Sequence, residues 1–324
     1  MGQLDGRVAV ITGAGNGIGR AHAHAFAREG AAVVVNDPGV APDGAAGDTG
    51  VADRVVAEIT TLGGTAVAST DSVADGEGAQ RVVDTAIEAF GDLHVVVNNA
   101  AILRNAPFLD MTEDDFTAVL GVHLTGTFAM TQRAGRHWRA RAEAGARADR
   151  SIVNTSSGSG LFNPLPTQAN YAAAKSGVAA ISTVAALELR RYGVRVNCFA
   201  PSAHRTRLTR DVPGLSAAPA AGAPDPFDPR NSSALVGYLA TATCPLTGQV
   251  FRVYDRTIGV AHGWSIGAEV HEEERWTIDG IERALTPLAL DDPEERLMTA
   301  LGVLGDPEKA RAAFQSLLDG TAAG

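Results

Sequence analysis

Cysteine is scarce: Cys198 and Cys244 are the only two among 324 residues. Two thiols cannot build a disulfide framework or a four-ligand zinc centre, and a reducing compartment is the expectation. An excess of positive charge is also missing. Lys and Arg number 27 against 37 Asp and Glu, for a net charge of −10, which argues against nucleic acid or an anionic membrane as partner. No apolar run reaches the roughly 18 residues of a membrane span. Met1 to Arg7 contain no apolar signal region, and Thr321 to Gly324 carry no peroxisomal or retention signal, so a cytoplasmic location is expected. Metal-ligand spacing is lacking too. His271-Glu272-Glu273-Glu274, between Trp264 and Trp276, has no suitably spaced second histidine. It reads as a solvated acidic face, and no metal is expected.

A hydrophobic fraction of 45% with 20% charged residues gives ample core for one large α/β domain or two small ones. Short apolar runs alternate with helical patterns along most of the chain. Strands are expected over 7–12, 31–36, 65–70, 93–97, 151–155, 194–199 and 249–254. Helices are expected over 17–30, 51–62, 76–90, 113–138, 171–191 and 232–242. That alternation predicts an α/β fold, a doubly wound, parallel, seven-stranded sheet. The Pro- and Ala-rich stretch 212–230 lacks core periodicity and reads as a substrate-side loop within a domain spanning 1–262. Residues 263–324 read as a helical C-terminal extension, with helices near 292–304 and 307–318.

Four stretches that directly follow strands suit a dinucleotide. Gly13, Asn16, Gly17, Ile18 and Gly19 lie between the first strand and a helix, where glycines permit close backbone approach and the helix N-terminus faces a pyrophosphate. Asp37 ends the second strand about 20 residues later. A carboxylate there accepts hydrogen bonds from an adenosine ribose and repels a 2′-phosphate, which favours NAD over NADP. Asp71, with Ser72 and Val73, ends the third strand; it either caps the next helix or meets the adenine edge. Asn98-Asn99-Ala100-Ala101 ends the fourth, where small residues and amides suit a floor for a cofactor ring. Because the Gly-rich turn, Asp37, Asn98, Ser157 and Pro201 all directly follow strands, they are expected to gather along one sheet edge.

Tyr171 and Lys175 stand four apart on a helix and face the same way. An ammonium beside a phenol favours the phenolate and would bring its pKa toward neutrality, as general acid/base work requires. The Ser157 hydroxyl is placed to hold a substrate oxygen against that phenol.

Together these residues resemble the short-chain dehydrogenase/reductase family, over about four-fifths of the chain, from Gln3 to roughly Trp264. The matching motifs are Thr12-Gly13-x-x-x-Gly17-Ile18-Gly19, Asn98-Asn99-Ala100, the set Ser157, Tyr171 and Lys175, and Pro201. The resemblance implies a Rossmann-fold oxidoreductase that moves a hydride between a nicotinamide and an alcohol or carbonyl. It implies Tyr171 as acid/base and Lys175 as modulator and ribose ligand, with Ser157 orienting the substrate. Thr206 would then lie against the nicotinamide amide, and the chain would form a homodimer or homotetramer partly through the Trp138-side and Tyr171 helices. The segments 33–39, 95–104, 122–128 and 168–175 are similar to the (3R)-hydroxyacyl-CoA dehydrogenase branch found in peroxisomal multifunctional enzymes. That likeness implies NAD and an acyl-CoA or steroid-like hydroxyl substrate.

The sequence also departs from the family pattern. His123 stands where the family usually has Asn in a proton relay; it either serves that relay or fills a kink. The serine-to-tyrosine spacing is one residue long, so Ser156 rivals Ser157. Ser202 replaces a common Gly, and Asp255-Arg256 replace a Gly pair after the last expected strand. Two other functions remain open: an NADPH-dependent 3-oxoacyl carrier-protein reductase, and a non-catalytic dinucleotide-binding sensor or scaffold.

Overall fold

The computed structural model describes residues 2–163, 165–202, 204–209, 219–220, 223–263, 265–273, 275–289, 292–302 and 307–318. Eight strands form one sheet: β1 (Val8–Thr12), β2 (Ala32–Asn36), β3 (Thr65–Ser69), β4 (Val95–Asn98), β5 (Arg150–Thr155), β6 (Val194–Pro201), β7 (Val250–Tyr254) and β8 (Thr257–Ala261). Their spatial order is β3-β2-β1-β4-β5-β6-β7-β8. The first seven pair in parallel. Every residue of β1, β4 and β5 is buried, as expected for strands covered on both faces.

The eighth strand adds to the seven expected. It is antiparallel to β7, with Tyr254 opposite Thr257, and the Asp255-Arg256 pair makes the hairpin turn. Asp255 takes the left-handed conformation there, at φ 49°. Asp-Arg carries none of the Gly preference of a tight hairpin. Ile258 and Val260 are more than half exposed, so β8 shows no buried run to read.

Helices cover both faces. On one lie α1 (Gly17–Arg28), α2 (Val51–Thr61) and α8 (Ser233–Ala240), which bury Phe26, Ile59 and Leu239 against the sheet. On the other lie α3 (Gly76–Phe90), α5 (Gly126–Glu143) and α7 (Ala169–Leu189), which bury Val82, Trp138 and Ala186. The helix expected over 113–138 is broken. α4 (Glu113–Leu120) passes into a π turn, Gly121–Thr125, before α5 begins. A π turn inserts one extra residue per turn and re-aims a side chain. Here it carries His123, which is buried. The short helix α6 (Gly158–Leu161), between β5 and α7, was not legible in the pattern.

By length and composition α7 could cross a membrane, with a mean hydropathy of 1.3, contrary to the sequence expectation of no such run. Its inward side nevertheless carries Asn170, Lys175 and Ser182, all buried. The tail holds α9 (Ile278–Leu285), which was not expected, then α10 (Pro293–Gly302) and α11 (Pro307–Leu318). Leu297 and Phe314 are buried on the last two. Residues 212–218 and 221–222 of the Pro/Ala stretch, Trp264, and Glu274 of the acidic run lie outside the described residues.

Candidate active site

The strand ends converge on a cavity of about 400 Å³. Its wall includes Gly13, Asn16, Gly17, Ile18, Asp37, Ser72, Val73, Asn99, Ala100, Ala101, Tyr171, Lys175, Pro201 and Thr206. Most of the residues singled out from the sequence therefore meet in one place.

The glycine turn is a cradle that side chains would fill. Gly13 and Gly17 have φ of 64° and 52°, where an L side chain is strained. A Cβ on Gly13 would come within 2.8 Å of the Ala100 backbone. Gly19 does not line the cavity; a Cβ there would meet the Gly13 carbonyl at 2.2 Å, so its smallness brings α1 against the turn. Asp37 is buried, and its carboxylate accepts from Gly15 N at 2.9 Å and from Gly39 N at 2.8 Å. The Thr12 hydroxyl accepts from the backbone N–H of Asn99 at 2.9 Å and of Ala100 at 3.1 Å. The Asn99 amide donates to Thr12 O at 3.0 Å. These bonds lock the floor after β4 to the end of β1. The arrangement fits a dinucleotide: permissive backbone for the pyrophosphate, a fixed carboxylate at one end and small residues beneath.

Asp71 does not cap α3: its carboxylate pairs with Arg81 at 2.5 Å, and Asp75 caps that helix, accepting from Glu77 N and Gly78 N. Ser72 and Val73 carry that strand end to the cavity.

At the other end, Lys175 Nζ donates to Thr155 O at 2.7 Å and stands 5.6 Å from the centroid of the Tyr171 ring. Burial lowers the Lys175 ammonium to about 8. Tyr171 differs from the sequence expectation. Burial raises its phenol, and a hydrogen bond with Ser157 opposes the rise. Desolvation, which disfavours a phenolate, outweighs that hydrogen bond. The two serines separate cleanly. Ser156 is fully buried and spends its hydroxyl on Lys175 O at 2.7 Å. Ser157 caps α6, accepting from Ser159 N at 3.2 Å, and meets the phenol. The cavity wall includes Ser156 rather than Ser157, but only Ser157 has its hydroxyl against the phenol.

His123 packs edge-on to Tyr171, with ring centroids 5.2 Å apart. Its Nε2 lies 3.1 Å from Ile102 N and 2.8 Å from Ile102 O, while Nδ1 is buried without a partner among the described residues. Burial first, and the Lys175 charge second, hold its pKa well below the ordinary value. His123 is therefore neutral at pH 7, with one ring nitrogen still uncommitted.

Sequence reasoning missed one wall of the cavity. Val40, Ala41, Pro42 and Gly44, from the loop between β2 and α2, close over it beside Arg104. Leu103 N donates to Pro42 O at 2.8 Å and Arg104 Nε donates to Asp43 O at 2.8 Å. The Gly and Asp content of that loop marks a turn-rich segment but says nothing of which way it folds.

Comparison with known proteins agrees with this geometry. The profile of a family described as "short chain dehydrogenase" matches residues 7–214. The chain is 40% identical over 280 residues to a hydroxyacyl-CoA dehydrogenase, ChsB1, of Mycobacterium tuberculosis, covering 86% of this chain and 84% of that protein. It is 37% identical over 297 residues to the peroxisomal multifunctional enzyme type 2 of Mus musculus, covering 91% of this chain and 37% of that longer protein. A solved short chain dehydrogenase from Mycobacterium avium superposes with a TM-score of 0.77 at 44% identity, covering 87% of this chain and 94% of that one.

Proposed function

The chain belongs to the short-chain dehydrogenase/reductase family of nicotinamide-dependent oxidoreductases, and on that premise we propose that it moves a hydride between NAD(H) and a secondary alcohol or ketone on an acyl-CoA thioester or a steroid-like skeleton. The observation that carries this reading is that Tyr171 and Lys175 stand at one end of the cavity whose other end is the glycine turn and Asp37. Asp37 supports NAD(H), because its buried carboxylate would face a 2′-phosphate with like charge. The likeness to hydroxyacyl-CoA dehydrogenases supports the thioester.

A bound nicotinamide supplies the hydride donor or acceptor. The chain's own residues handle the proton and the oxygen. Ser157 hydrogen-bonds the substrate oxygen together with the Tyr171 hydroxyl. In reduction Tyr171, protonated at neutral pH because burial raises its pKa, donates from its hydroxyl to the developing alkoxide. In oxidation it must first lose that proton, so the oxidative rate rises toward alkaline pH while the reductive rate does not.

The test is an assay of (3R)-3-hydroxyacyl-CoA thioesters, hydroxysteroids and simple secondary alcohols with NAD and with NADP, followed by nicotinamide absorbance. Turnover with NAD on at least one class is expected, together with loss of at least ~10³-fold in Tyr171→Phe with NADH binding kept. A strong preference for NADP(H) and 3-oxoacyl carrier protein would replace the reading with that of a carrier-protein reductase. Silence on all substrates would leave a non-catalytic dinucleotide-binding protein.

A further inference from the structure

We propose that Asn170 is a positioning residue for Tyr171, fixing the first turn of α7 against the segment that follows β4. The inference rests on the reading of Tyr171 as the acid/base group. Asn170 is fully buried. Its Nδ2 donates to Arg104 O at 2.8 Å and to Asp115 O at 3.1 Å. Its Oδ1 accepts from Tyr171 N at 2.7 Å. One side chain thus ties the crossover after β4, helix α4 and the start of α7 together.

The amide suits this task in one orientation only. Both protons of Nδ2 meet carbonyl oxygens and the oxygen meets an N–H; turned over, the oxygen would face two carbonyls. The bond to Tyr171 N also satisfies a first-turn N–H that has no partner within the helix. A second tie lies just upstream. Ala106 N donates to Thr167 O at 3.0 Å, and Thr167 holds φ 68°. A β-branched residue there is strained and persists only where its surroundings demand it.

The rest of α7 is held by other bonds. Lys175 reaches Thr155 O, Ser156 reaches Lys175 O, and Asn154 Nδ2 reaches Ser182 Oγ at 2.9 Å. These begin more than one turn after Tyr171. Losing Asn170 therefore loosens the turn that carries the phenol, leaving only the ties at Thr167 and Gln168 beside it, while the turn that carries Lys175 stays in place. Misplacement of a proton-transfer group by about 1 Å costs on the order of 100-fold in rate.

The test compares Asn170→Ala, Asn170→Ser and Tyr171→Phe with the parent chain, using a (3R)-3-hydroxyacyl-CoA carrying deuterium at C3, with an NADH titration for each. For Asn170→Ala the expectation is a kcat lower by ~10- to 100-fold, a larger deuterium effect on kcat/KM, and an NADH dissociation constant within about twofold of the parent. Asn170→Ser, which keeps one short polar donor at the position, should fall between. Parental kcat and deuterium effect in Asn170→Ala overturn the proposal whatever the change in Tm. So does a rate loss matched by an equal loss of NADH affinity, which marks general collapse. If Asn170→Ala does not fold, the same criteria apply to Asn170→Ser. Full activity in Tyr171→Phe would sink the acid/base reading itself, whereas a dead Tyr171→Phe beside an unaltered Asn170→Ala sinks the positioning role alone.

Discussion

At the scale of single residues, Lys175 shows how function and stability pull apart. Its ammonium is 2% exposed and held to about 8 by burial, against an ordinary value of 10.5. The unfolded chain therefore binds this proton more tightly than the folded one. The penalty is fully present below pH 8 and fades as pH rises from 8 to 10.5, where the native lysine is already neutral and the unfolded one still charged. The shift corresponds to about 3 kcal/mol at neutral pH. Lys175→Met should then be the more stable protein at pH 7, by ~1–3 kcal/mol once the lost bond to Thr155 O is counted, while turnover collapses. Its advantage should shrink as pH approaches 10. Denaturant melts of both proteins at pH 7 and pH 10 check this, and a less stable variant at pH 7 would contradict it. The spacing of Tyr171 and Lys175 was legible in the sequence. The direction of the Tyr171 shift was not, because desolvation depends on what covers a residue and not on its neighbours in the chain.

At the scale of elements, the seam between α1 and α8 carries a liability in acid. His22 on α1 is fully buried, bonded through Nδ1 to Ser233 Oγ at 2.9 Å and set edge-on to Phe199 of β6. Its Nε2 is buried without a partner among the described residues. Burial lowers its pKa to about 3, with His204 adding repulsion. His204, itself buried, bonds Ser202 O at 2.6 Å. It feels Asp228 and Asp225, which raise its pKa, yet burial still lowers it overall. For a histidine depressed in this way, stability is intact above its unfolded value near 6.5 and is lost as pH falls toward the folded value. His22 alone should cost the fold about 2 kcal/mol between pH 7 and pH 5. His22→Asn keeps a polar partner for Ser233 without the titration. Its stability curve should be shallower than the parent's over that interval by about that amount; parallel curves would remove His22 from the account. Much at this scale could be read in advance. α3 appears with the bounds its apolar spacing gives, and the buried parallel strands announce themselves as Val-rich runs. The π turn could not be read, because a helix with one extra residue keeps an apolar pattern almost indistinguishable from an α-helix. Nor could α9, whose exposed Ile278 and Leu285 break any core face.

At the scale of the whole molecule, the coarse architecture and the gathering of the site were legible because strand order forces strand ends together. A chain that alternates strand and helix has few right-handed ways to wind, and each of them places Gly13, Asp37, Asn99 and Tyr171 along one edge. What covers the outer side of α5 and α7 is a different matter, since surface partners leave no period in the sequence beyond unexplained apolar residues. Phe128, Val184 and Leu187 are 51%, 54% and 76% exposed. Phe128 and Val184 line a groove of about 460 Å³ that α5 and α7 frame, and Leu187 follows Val184 by three residues on α7. Only 28% of the most apolar stretch of α7 is buried within its own chain. Leaving three large side chains exposed together costs several kcal/mol of unrealised burial, and contiguous apolar patches on soluble chains mark interaction sites. This is the side, formed by the Trp138 and Tyr171 helices, through which the family resemblance implies a homodimer or homotetramer, and a two-fold axis across it would give self-complementary contact. Light scattering should give at least a dimer for the parent chain and a monomer for Phe128→Glu with Leu187→Glu, since opposed carboxylates at a dry interface cannot be paired. Lys175 and Ser182 face inward from the same helix, so loss of the second copy should loosen α7 and lower kcat as well as mass. A monomeric parent, or a doubly charged variant that keeps its mass, would place the contact elsewhere on the surface.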